Sequence, residues 1–114
     1  MPMEDCLFCK IIAGDIPSAK VFENDEVFAF RDINPQAPVH VLIVPKKHVA
    51  NVIEGAACGL MNALCGAAAQ IAAQEGIDKT GFRLITNCGH DGCQSVGHLH
   101  LHLLGGRQLS ETMA

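Results

Sequence analysis

Apolar residues recur at helical spacing near the start of the chain. They fit one face of a helix: Leu7, Phe8, Ile11 and Ile12. Asp5 precedes them as a candidate N-cap, and Gly14 follows them as a stop signal. The pattern therefore predicts a short N-terminal helix over residues 5–13.

Short β-prone runs follow this helix. Lys20–Glu23 and Val27–Arg31 are separated by a segment that begins with Asn24, which is typical of a hairpin. Val39–Val44 is apolar and rich in β-branched residues, and it ends at Pro45. A run of this kind predicts a central strand that is buried on both faces.

An Ala-rich segment over residues 49–75 predicts one long helix with Gly76 as its C-cap. Its apolar stripe has helical spacing: Leu60, Leu64, Ala67, Ala68 and Ile71. Phe82–Asn87 and His98–Leu104 predict the last two strands. The order of elements predicts an α+β fold, with a mainly antiparallel five-stranded sheet, one long helix and one short helix.

Composition and charge exclude several classes of protein. A chain of 114 residues suffices for one core, so we expect residues 1–114 to form a single domain. No apolar run approaches the roughly 20 residues of a membrane span, and the acidic first residues are unlike a secretory signal. We therefore expect a cytoplasmic protein. A formal net charge of −4 argues against binding to nucleic acid backbones.

Three of the six histidines, His98, His100 and His102, alternate with leucines. On a strand they would project from one face about 6.6 Å apart, while the leucines would face the core. Three explanations fit such a row of rings. It could be the polar face of an exposed strand, a metal site built from all three rings, or a nucleophilic site.

The Gly-rich segment over residues 89–97 favours the nucleophilic explanation. Backbone N–H groups of Ser95 and Val96, the Ser95 hydroxyl and the Gln94 amide are suited to hold a phosphate. A neutral imidazole attacks phosphorus well if one nitrogen is bare and the other donates its proton to a carbonyl or a ring. These residues thus predict attack on phosphorus through a covalent phosphohistidine intermediate.

Gln94–Leu104 resembles the signature of the histidine-triad (HIT) superfamily, in which three histidines alternate with apolar residues. Phe30–His40, Val44–His48 and Gly105–Arg107 are similar to its Hint branch in particular. The resemblance implies a HIT-like fold and a homodimer whose two sheets join into one. It also implies hydrolysis of purine nucleoside phosphoramidates and related nucleotides, such as AMP or GMP derivatives, without a catalytic metal.

The resemblance assigns roles to matching positions. His100 would be the nucleophile of nucleotide hydrolysis or nucleotidyl transfer, through a covalent nucleotidyl-His100 intermediate. His102, His40 and Ser95 would support it, and Asp32 would take the ribose hydroxyls. The residues around the base would be Phe8, Ile11, Ile16, Phe30 and Ile33, for each of which ordinary core packing is the alternative. The phosphate or the leaving group would contact Asn87, Gln94, Ser95, Val96, His100 and His102.

Two departures from the family pattern concern substrate preference and leave a second function open. Cys93 stands where the family usually has glycine, and residues 108–114 lack the aromatic residue of eukaryotic Hint relatives. A nucleotide-binding or scaffold dimer with incidental hydrolysis is therefore the alternative. The histidine row favours an enzyme, because binding alone does not require aligned histidines.

Cys6 and Cys9 have the two-residue spacing of a pair of zinc ligands. Some HIT relatives complete such a site with two histidines, and here His48 and His98 are the candidates. An extended strand would place His98 about 13 Å from His102, so the three rings could not share one ion. We expect a structural zinc that is not needed for chemistry. Packed thiols and a redox pair are the alternatives.

Overall fold

The computed structural model describes residues 5–114 as three helices and one five-stranded sheet. In chain order the elements are α1 (Leu7–Ala13), β1 (Lys20–Glu23), β2 (Val27–Arg31), β3 (Val39–Pro45), α2 (Val52–Ala57), α3 (Leu60–Gln74), β4 (Phe82–Ile85) and β5 (Leu101–Gly105). Neighbouring strands pair antiparallel in the order β1-β2-β3-β5-β4. The α+β class, the five-stranded sheet and the central place of β3 are confirmed.

The hairpin of β1 and β2 forms at the predicted residues. The side chain of Asn24 accepts hydrogen bonds from the N–H groups of Glu26 and Val27, at 2.9 and 2.8 Å. A side chain that satisfies the turn's own backbone in this way favours chain reversal. Asn24 therefore closes the hairpin.

The start of α1 differs from the prediction. Cys6, not Asp5, is the N-cap, and its Sγ accepts a hydrogen bond from the N–H of Cys9 at 3.4 Å. The predicted cap is wrong because the chain turns into the helix one residue later, where the thiol meets the free N–H. The predicted stop is confirmed: Gly14 ends the helix at a φ of +85°, which glycine adopts without steric cost.

The predicted long helix over residues 49–75 is wrong, because the segment forms two helices. α2 ends at Ala57 and α3 begins at Leu60. Between them Gly59 has a φ of +79°, and a left-handed residue cannot continue a right-handed helix. Asn51 begins α2 by accepting hydrogen bonds from two N–H groups of the first turn.

Two apolar clusters lie on opposite faces of the sheet. Successive residues of β3 alternate between them, with Val41 in the first cluster and Leu42 in the second. The first cluster lies under α3 and includes the predicted stripe and the alternating leucines: Leu60, Leu64, Ala67, Ala68, Ile71, Leu99, Leu101 and Leu103. The second packs α1 against the other face: Cys6, Phe8, Cys9, Ile11, Phe28, Phe30, Leu42 and Val44.

The last strands are shorter than predicted. β4 ends at Ile85 and β5 begins at Leu101, so His102 is the only member of the histidine row that lies on a strand. The segment before β5 bonds elsewhere, because the N–H of Leu99 donates to the carbonyl of Val49 at 2.8 Å. Within residues 5–114, no helix is long and apolar enough to cross a membrane.

Candidate functional site

His100 is buried, and a carbonyl fixes its tautomer. The residue is 4% exposed, and its Nδ1 lies 2.8 Å from the carbonyl oxygen of His98. Because a carbonyl can only accept, Nδ1 carries the proton and Nε2 of the neutral ring keeps a lone pair. The ring of Phe8 packs edge-on against His100, with centroids 5.0 Å apart. The contact and the hydrogen bond together hold an imidazole that has one bare nitrogen.

A chain of hydrogen bonds fixes the opposite tautomer in His102. The N–H of Gln36 donates to Nδ1 of His40 at 3.0 Å, so in the neutral ring Nε2 of His40 carries the proton. That Nε2 lies 2.9 Å from Nδ1 of His102 and donates to it. His102 therefore carries its own proton on Nε2. It is a hydrogen-bond donor there, whereas His100 has a lone pair on the same atom.

Burial keeps this pair of rings neutral at neutral pH. Burial, reinforced by the neighbouring His100 and His40, lowers the pKa of His102 to about 4, with Asp32 opposing the change. The pKa of His40 is lowered by burial as well, against the attraction of Asp32, whose Oδ2 lies 3.5 Å from Nε2 of His40. The neutral rings can position a phosphate oxygen or a leaving group without adding charge.

The four predicted metal ligands converge on one point. Their ligand atoms all lie within 4.8 Å of one another. Nδ1 of His98 lies 3.1 Å from Nδ1 of His48 and 3.4 Å from Sγ of Cys6, and Sγ of Cys9 lies 3.3 Å from Nδ1 of His48. His98 is fully buried and donates from Nε2 to the carbonyl of Pro45 at 2.9 Å, so its Nδ1 faces the cluster bare. This Cys₂His₂ cluster could hold a metal ion.

A second group with close ligand atoms consists of Asp32, His40 and His102. In this group Nε2 of His40 is protonated, unlike Nδ1 of His98. The hydrogen bond from the N–H of Gln36 to Nδ1 of His40 leaves the proton of His40 on Nε2. A metal ion there would have to displace that proton and the backbone hydrogen bond with it. The tautomers therefore distinguish the two groups: the Cys₂His₂ cluster has a bare nitrogen for an ion, and this group has protons.

The Gly-rich loop is held in shape by Gln94. Its Nε2 donates to the carbonyls of Ala50 and Val96, at 2.6 and 2.9 Å, and its Oε1 accepts from the N–H of Gly89 at 3.0 Å. Both amide hydrogens are thus used within the protein. The predicted contact between Gln94 and phosphate would require one of these bonds to break. Ser95 lies on the same loop and is exposed, so its hydroxyl can donate to a bound group.

Two other residues shape the same loop. Asn87 donates from Nδ2 to the carbonyl of Gly92 at 2.7 Å, which uses part of the side chain that was predicted to contact phosphate. Cys93 has a φ of +59°, the left-handed conformation that the family's usual glycine would adopt without strain. Cys93 therefore keeps a backbone conformation that suits glycine and adds a thiol side chain to the loop.

The predicted base contacts differ widely in exposure. Phe8, Ile11 and Phe30 are buried in the second cluster, Ile16 packs against it in part, and Ile33 is fully exposed. Leu7, which was predicted on the apolar face of α1, is instead 44% exposed. It lines a cleft of about 540 Å³ with Asp5, Cys6, His48, Ser95, Val96 and Gly97. Phe8, the next residue, was predicted to contact the base. The orientation of α1 buries the side chain of Phe8 and exposes that of Leu7.

The family was decided by comparison with known proteins. The sequence profile of the HIT domain matches residues 13–109. The chain belongs to the HIT domain family. The chain is 46% identical over 113 residues to the purine nucleoside phosphoramidase of Escherichia coli strain K12, across 97% of this chain and 95% of that protein.

Two further relatives cover almost the whole HIT domain. The 14 kDa zinc-binding protein of Brassica juncea is 46% identical over 110 residues, across 93% of this chain and 96% of that protein. A solved histidine triad protein from Clostridium difficile superposes with a TM-score of 0.94 at 47% identity, across 98% of this chain and 99% of that one. The predicted family and the HIT-like fold are confirmed.

Proposed function

We propose that this HIT domain hydrolyses nucleotides, with His100 as the nucleophile on the α-phosphate and purine nucleoside phosphoramidates as substrates. The observation that carries the proposal is the pair of opposite tautomers in His100 and His102, whose ring centroids are 5.1 Å apart. Attack on phosphorus needs a lone pair and a nearby donor to the charged oxygens. The 46% identity with a phosphoramidase supports the substrate class.

The reaction would take two displacements. In the first, the lone pair on Nε2 of His100 forms an N–P bond as the P–N bond to the amine breaks, and the Ser95 hydroxyl gives its proton to the leaving nitrogen. In the second, water attacks phosphorus, the bond to His100 breaks, and a proton from the water returns to Ser95. His102 donates a hydrogen bond from Nε2 throughout and keeps its proton.

The nucleoside would lie beside Asp32. Its Oδ1 accepts from the N–H of Asn34 at 2.8 Å, and the residue is half-buried next to His40, which suits a carboxylate that orients ribose hydroxyls. The fully exposed side chain of Ile33 and the half-buried Ile16 offer apolar surface to a base. Phe8 and the other buried residues would form the wall behind it.

The test is hydrolysis of a fluorogenic adenosine phosphoramidate by wild type, His100→Ala and His90→Ala. We expect His100→Ala to lose turnover by about 10³-fold or more while AMP affinity stays within roughly tenfold, because the nucleophile acts mainly in the transition state. His90 is exposed in the loop and should be replaceable without loss. Turnover that survives in His100→Ala would rule the mechanism out.

We further propose that the Cys₂His₂ cluster holds a structural zinc and that hydrolysis needs no metal. A tetrahedral zinc, with Zn–S of about 2.3 Å and Zn–N of about 2.0–2.1 Å, suits four ligand atoms that lie within 4.8 Å of one another, four of the six pairs being 3.1 to 3.6 Å apart. A zinc-binding protein among the relatives supports this choice of metal. The predicted cytoplasmic location agrees with it, because a reducing compartment keeps thiols free to act as ligands.

We also propose that the protein is a homodimer whose sheets join across β4. β4 is an edge strand with three partly exposed apolar residues, Phe82, Leu84 and Ile85. α3, on the adjoining face, carries no charged side chain in its 15 residues and exposes Cys65, Ala69 and Ala73. Within residues 5–114, β4 has a strand partner on one side only, and Leu84 lies on the sheet face that α3 covers, since it pairs with Leu103. An edge strand with exposed apolar residues, on a sheet covered by an uncharged helix of small residues, favours association with a second copy.

A further inference from the structure

We propose that Arg107 is a positioning residue: by holding Gln36, it sets the direction of the hydrogen bonds that run through His40 to His102. The proposal rests on the function proposed above for His102 as a donor. Arg107 lies on the turn after β5 and is exposed, and nothing in the chemistry of the HIT signature assigns it a task. Its contacts assign one.

Arg107 holds the loop that carries Gln36. Its Nη2 donates to the carbonyl of Gln36 at 3.2 Å, while Nη1 donates to the carbonyl of Gln108 at 3.0 Å. The N–H of the same Gln36 donates to Nδ1 of His40 at 3.0 Å. The guanidinium thus restrains the carbonyl side of the residue whose N–H side binds the histidine.

Gly106, next to Arg107, lets the same turn pack closely against Pro38, the last residue of the loop. Gly106 has a φ of +93°, and a Cβ at this position would lie 2.9 Å from Cβ of Pro38. The backbone of residue 106 therefore passes directly over Pro38. Val39 pairs with Gly105, so the turn and the loop are also joined through β3 and β5. The turn therefore holds the second half of this loop at two points, Gln36 and Pro38.

Two arrangements of protons are possible along the histidines, and Gln36 selects one of them. While its N–H donates to Nδ1 of His40, Nε2 of His40 must donate to Nδ1 of His102, which leaves a proton on Nε2 of His102. If Gln36 turns away, Nδ1 of His40 can take the proton. Nε2 of His40 then accepts from His102, and Nε2 of His102 becomes bare.

Asp32 favours the first arrangement only weakly. Its Oδ2 is 3.5 Å from Nε2 of His40, which is too long for a good hydrogen bond. The reversed arrangement would aim a lone pair at anionic phosphate oxygens in place of a donor. Removing one such donor usually costs about 10²–10³ in kcat. Partial reversal should therefore cost roughly tenfold, with little change in KM because Arg107 touches no proposed nucleotide contact.

The experiment compares Arg107→Met, Arg107→Lys and the matched surface variant Lys20→Met, which removes only an exposed ion pair with Glu23. Imidazole ¹⁵N chemical shifts report which nitrogen of His40 and His102 carries the proton. We expect Arg107→Met to move both rings toward averaged shifts and to speed hydrogen exchange of the Gln36 amide. Arg107→Lys, which keeps one donor, and Lys20→Met should retain the wild-type shifts.

A second variant reaches the same loop by another route. Gly106→Ala leaves Arg107 in place but pushes Pro38 away, and it should also shift the histidines toward averaged tautomers. Unchanged ¹⁵N shifts and unchanged Gln36 exchange in Arg107→Met would overturn the proposal, whatever the activity. Shifted tautomers with an unchanged kcat would support the positioning role and would instead contradict the catalytic role proposed for His102.

Discussion

At the scale of single residues, hydrogen bonds to backbone groups determine which ring nitrogen of each of three histidines carries the proton. The carbonyl of His98 leaves Nε2 of His100 bare, the carbonyl of Pro45 leaves Nδ1 of His98 bare, and the N–H of Gln36 leaves a proton on Nε2 of His102. In the proposed mechanism, one residue type thus provides a nucleophile, a metal ligand and a donor. The choice depends on which ring nitrogen each backbone group occupies.

Ser95 should matter most when the leaving group is poor. We expect Ser95→Ala to lower kcat by about 10²-fold for substrates with a basic amine and by only a few-fold for those with an acidic phenol, because only the amine needs a proton in order to leave. A series of adenosine substrates of graded leaving-group pKa measures this. Equal losses across the series would mean that Ser95 only orients the phosphate.

His102 should make stability depend on pH. Burial lowers its folded-state pKa from 6.5 to about 4, so between these values the unfolded chain binds more protons than the folded one. Its contribution is therefore fully present above about pH 6.5 and is lost as the pH falls toward 4. We expect the free energy of unfolding of His102→Gln, measured with urea, to fall less between pH 7 and 5 than that of wild type.

The control for this comparison is His90→Gln, a change at an exposed histidine that should keep the wild-type slope. Both variants retain the Cys₂His₂ cluster, so proton competition for those ligands cancels in the difference. If His102→Gln shows the same pH slope as wild type, then either the ring is not neutral in the folded protein or its burial does not control its proton.

At the scale of elements, α1 connects the Cys₂His₂ cluster with His100, the proposed nucleophile. Cys6 and Cys9 lie in the first turn of the helix region, and Phe8 between them packs against His100 with centroids 5.0 Å apart. A metal ion that joined the two thiols to His48 and His98 would therefore hold the Phe8 ring against the imidazole of His100. Metal binding to such a site also adds to folding stability.

Loss of one thiol of the Cys₂His₂ cluster should lower the melting temperature, whereas hydrolysis itself should not need the metal. We expect purified wild type to contain close to one zinc per chain by elemental analysis, and Cys6→Ser to lose it and to melt at least about 5 °C lower. Cys58→Ser, a change at an exposed thiol, should melt like wild type. Hydrolysis should survive brief chelation of wild type, and an immediate loss while the fold persists would make the metal catalytic.

The break between α2 and α3 depends on one glycine. Gly59 has a φ of +79° with open space around it, so a side chain there meets no neighbour and is penalised by its backbone alone. We expect Gly59→Ala to destabilise the protein by about 1–2 kcal/mol in urea unfolding. Gly59→Asn should cost less, because asparagine tolerates this conformation. Equal or greater stability of the alanine variant would argue for a continuous helix.

At the scale of the whole molecule, the β4 edge of the sheet is the surface proposed to form the dimer interface. Leu84 of β4 pairs with Leu103 of β5, on the face of the sheet that α3 covers. Leu103 is fully buried, whereas Leu84 is 38% exposed. One copy of the chain thus leaves apolar surface beside a free strand edge. Joining of two sheets at β4 would cover both features at once.

The dimer should depend on that edge. We expect light scattering at micromolar concentration to give twice the chain mass of 12.1 kDa for wild type and the single-chain mass for Leu84→Glu. Ile53→Glu, which places the same charge on an exposed apolar residue of α2, should remain dimeric. A wild-type mass near 12.1 kDa would refute the homodimer.

Elements whose signals are local were predicted from sequence. The hairpin of β1 and β2 has its turn residue Asn24 within it, α1 has its stop at Gly14, and the stripe of α3 repeats at the period of a helix. The family signature is local as well, since it is a run of consecutive residues. Cys6 and Cys9 could be paired by spacing alone, because both belong to one turn of a helix.

The tertiary structure decided what depends on distant partners. Gly59 could have lain within a helix, and the structure instead bends the chain there so that both α2 and α3 can pack. The strand before Leu101 is cut short because Val49, far away in sequence, takes the N–H of Leu99. The protons on His98, His100 and His40, and through His40 on His102, are set by the carbonyls of Pro45 and His98 and the N–H of Gln36, main-chain groups that do not identify themselves in a sequence. A sequence therefore contains the histidines, while only the fold determines which nitrogen of each ring is free.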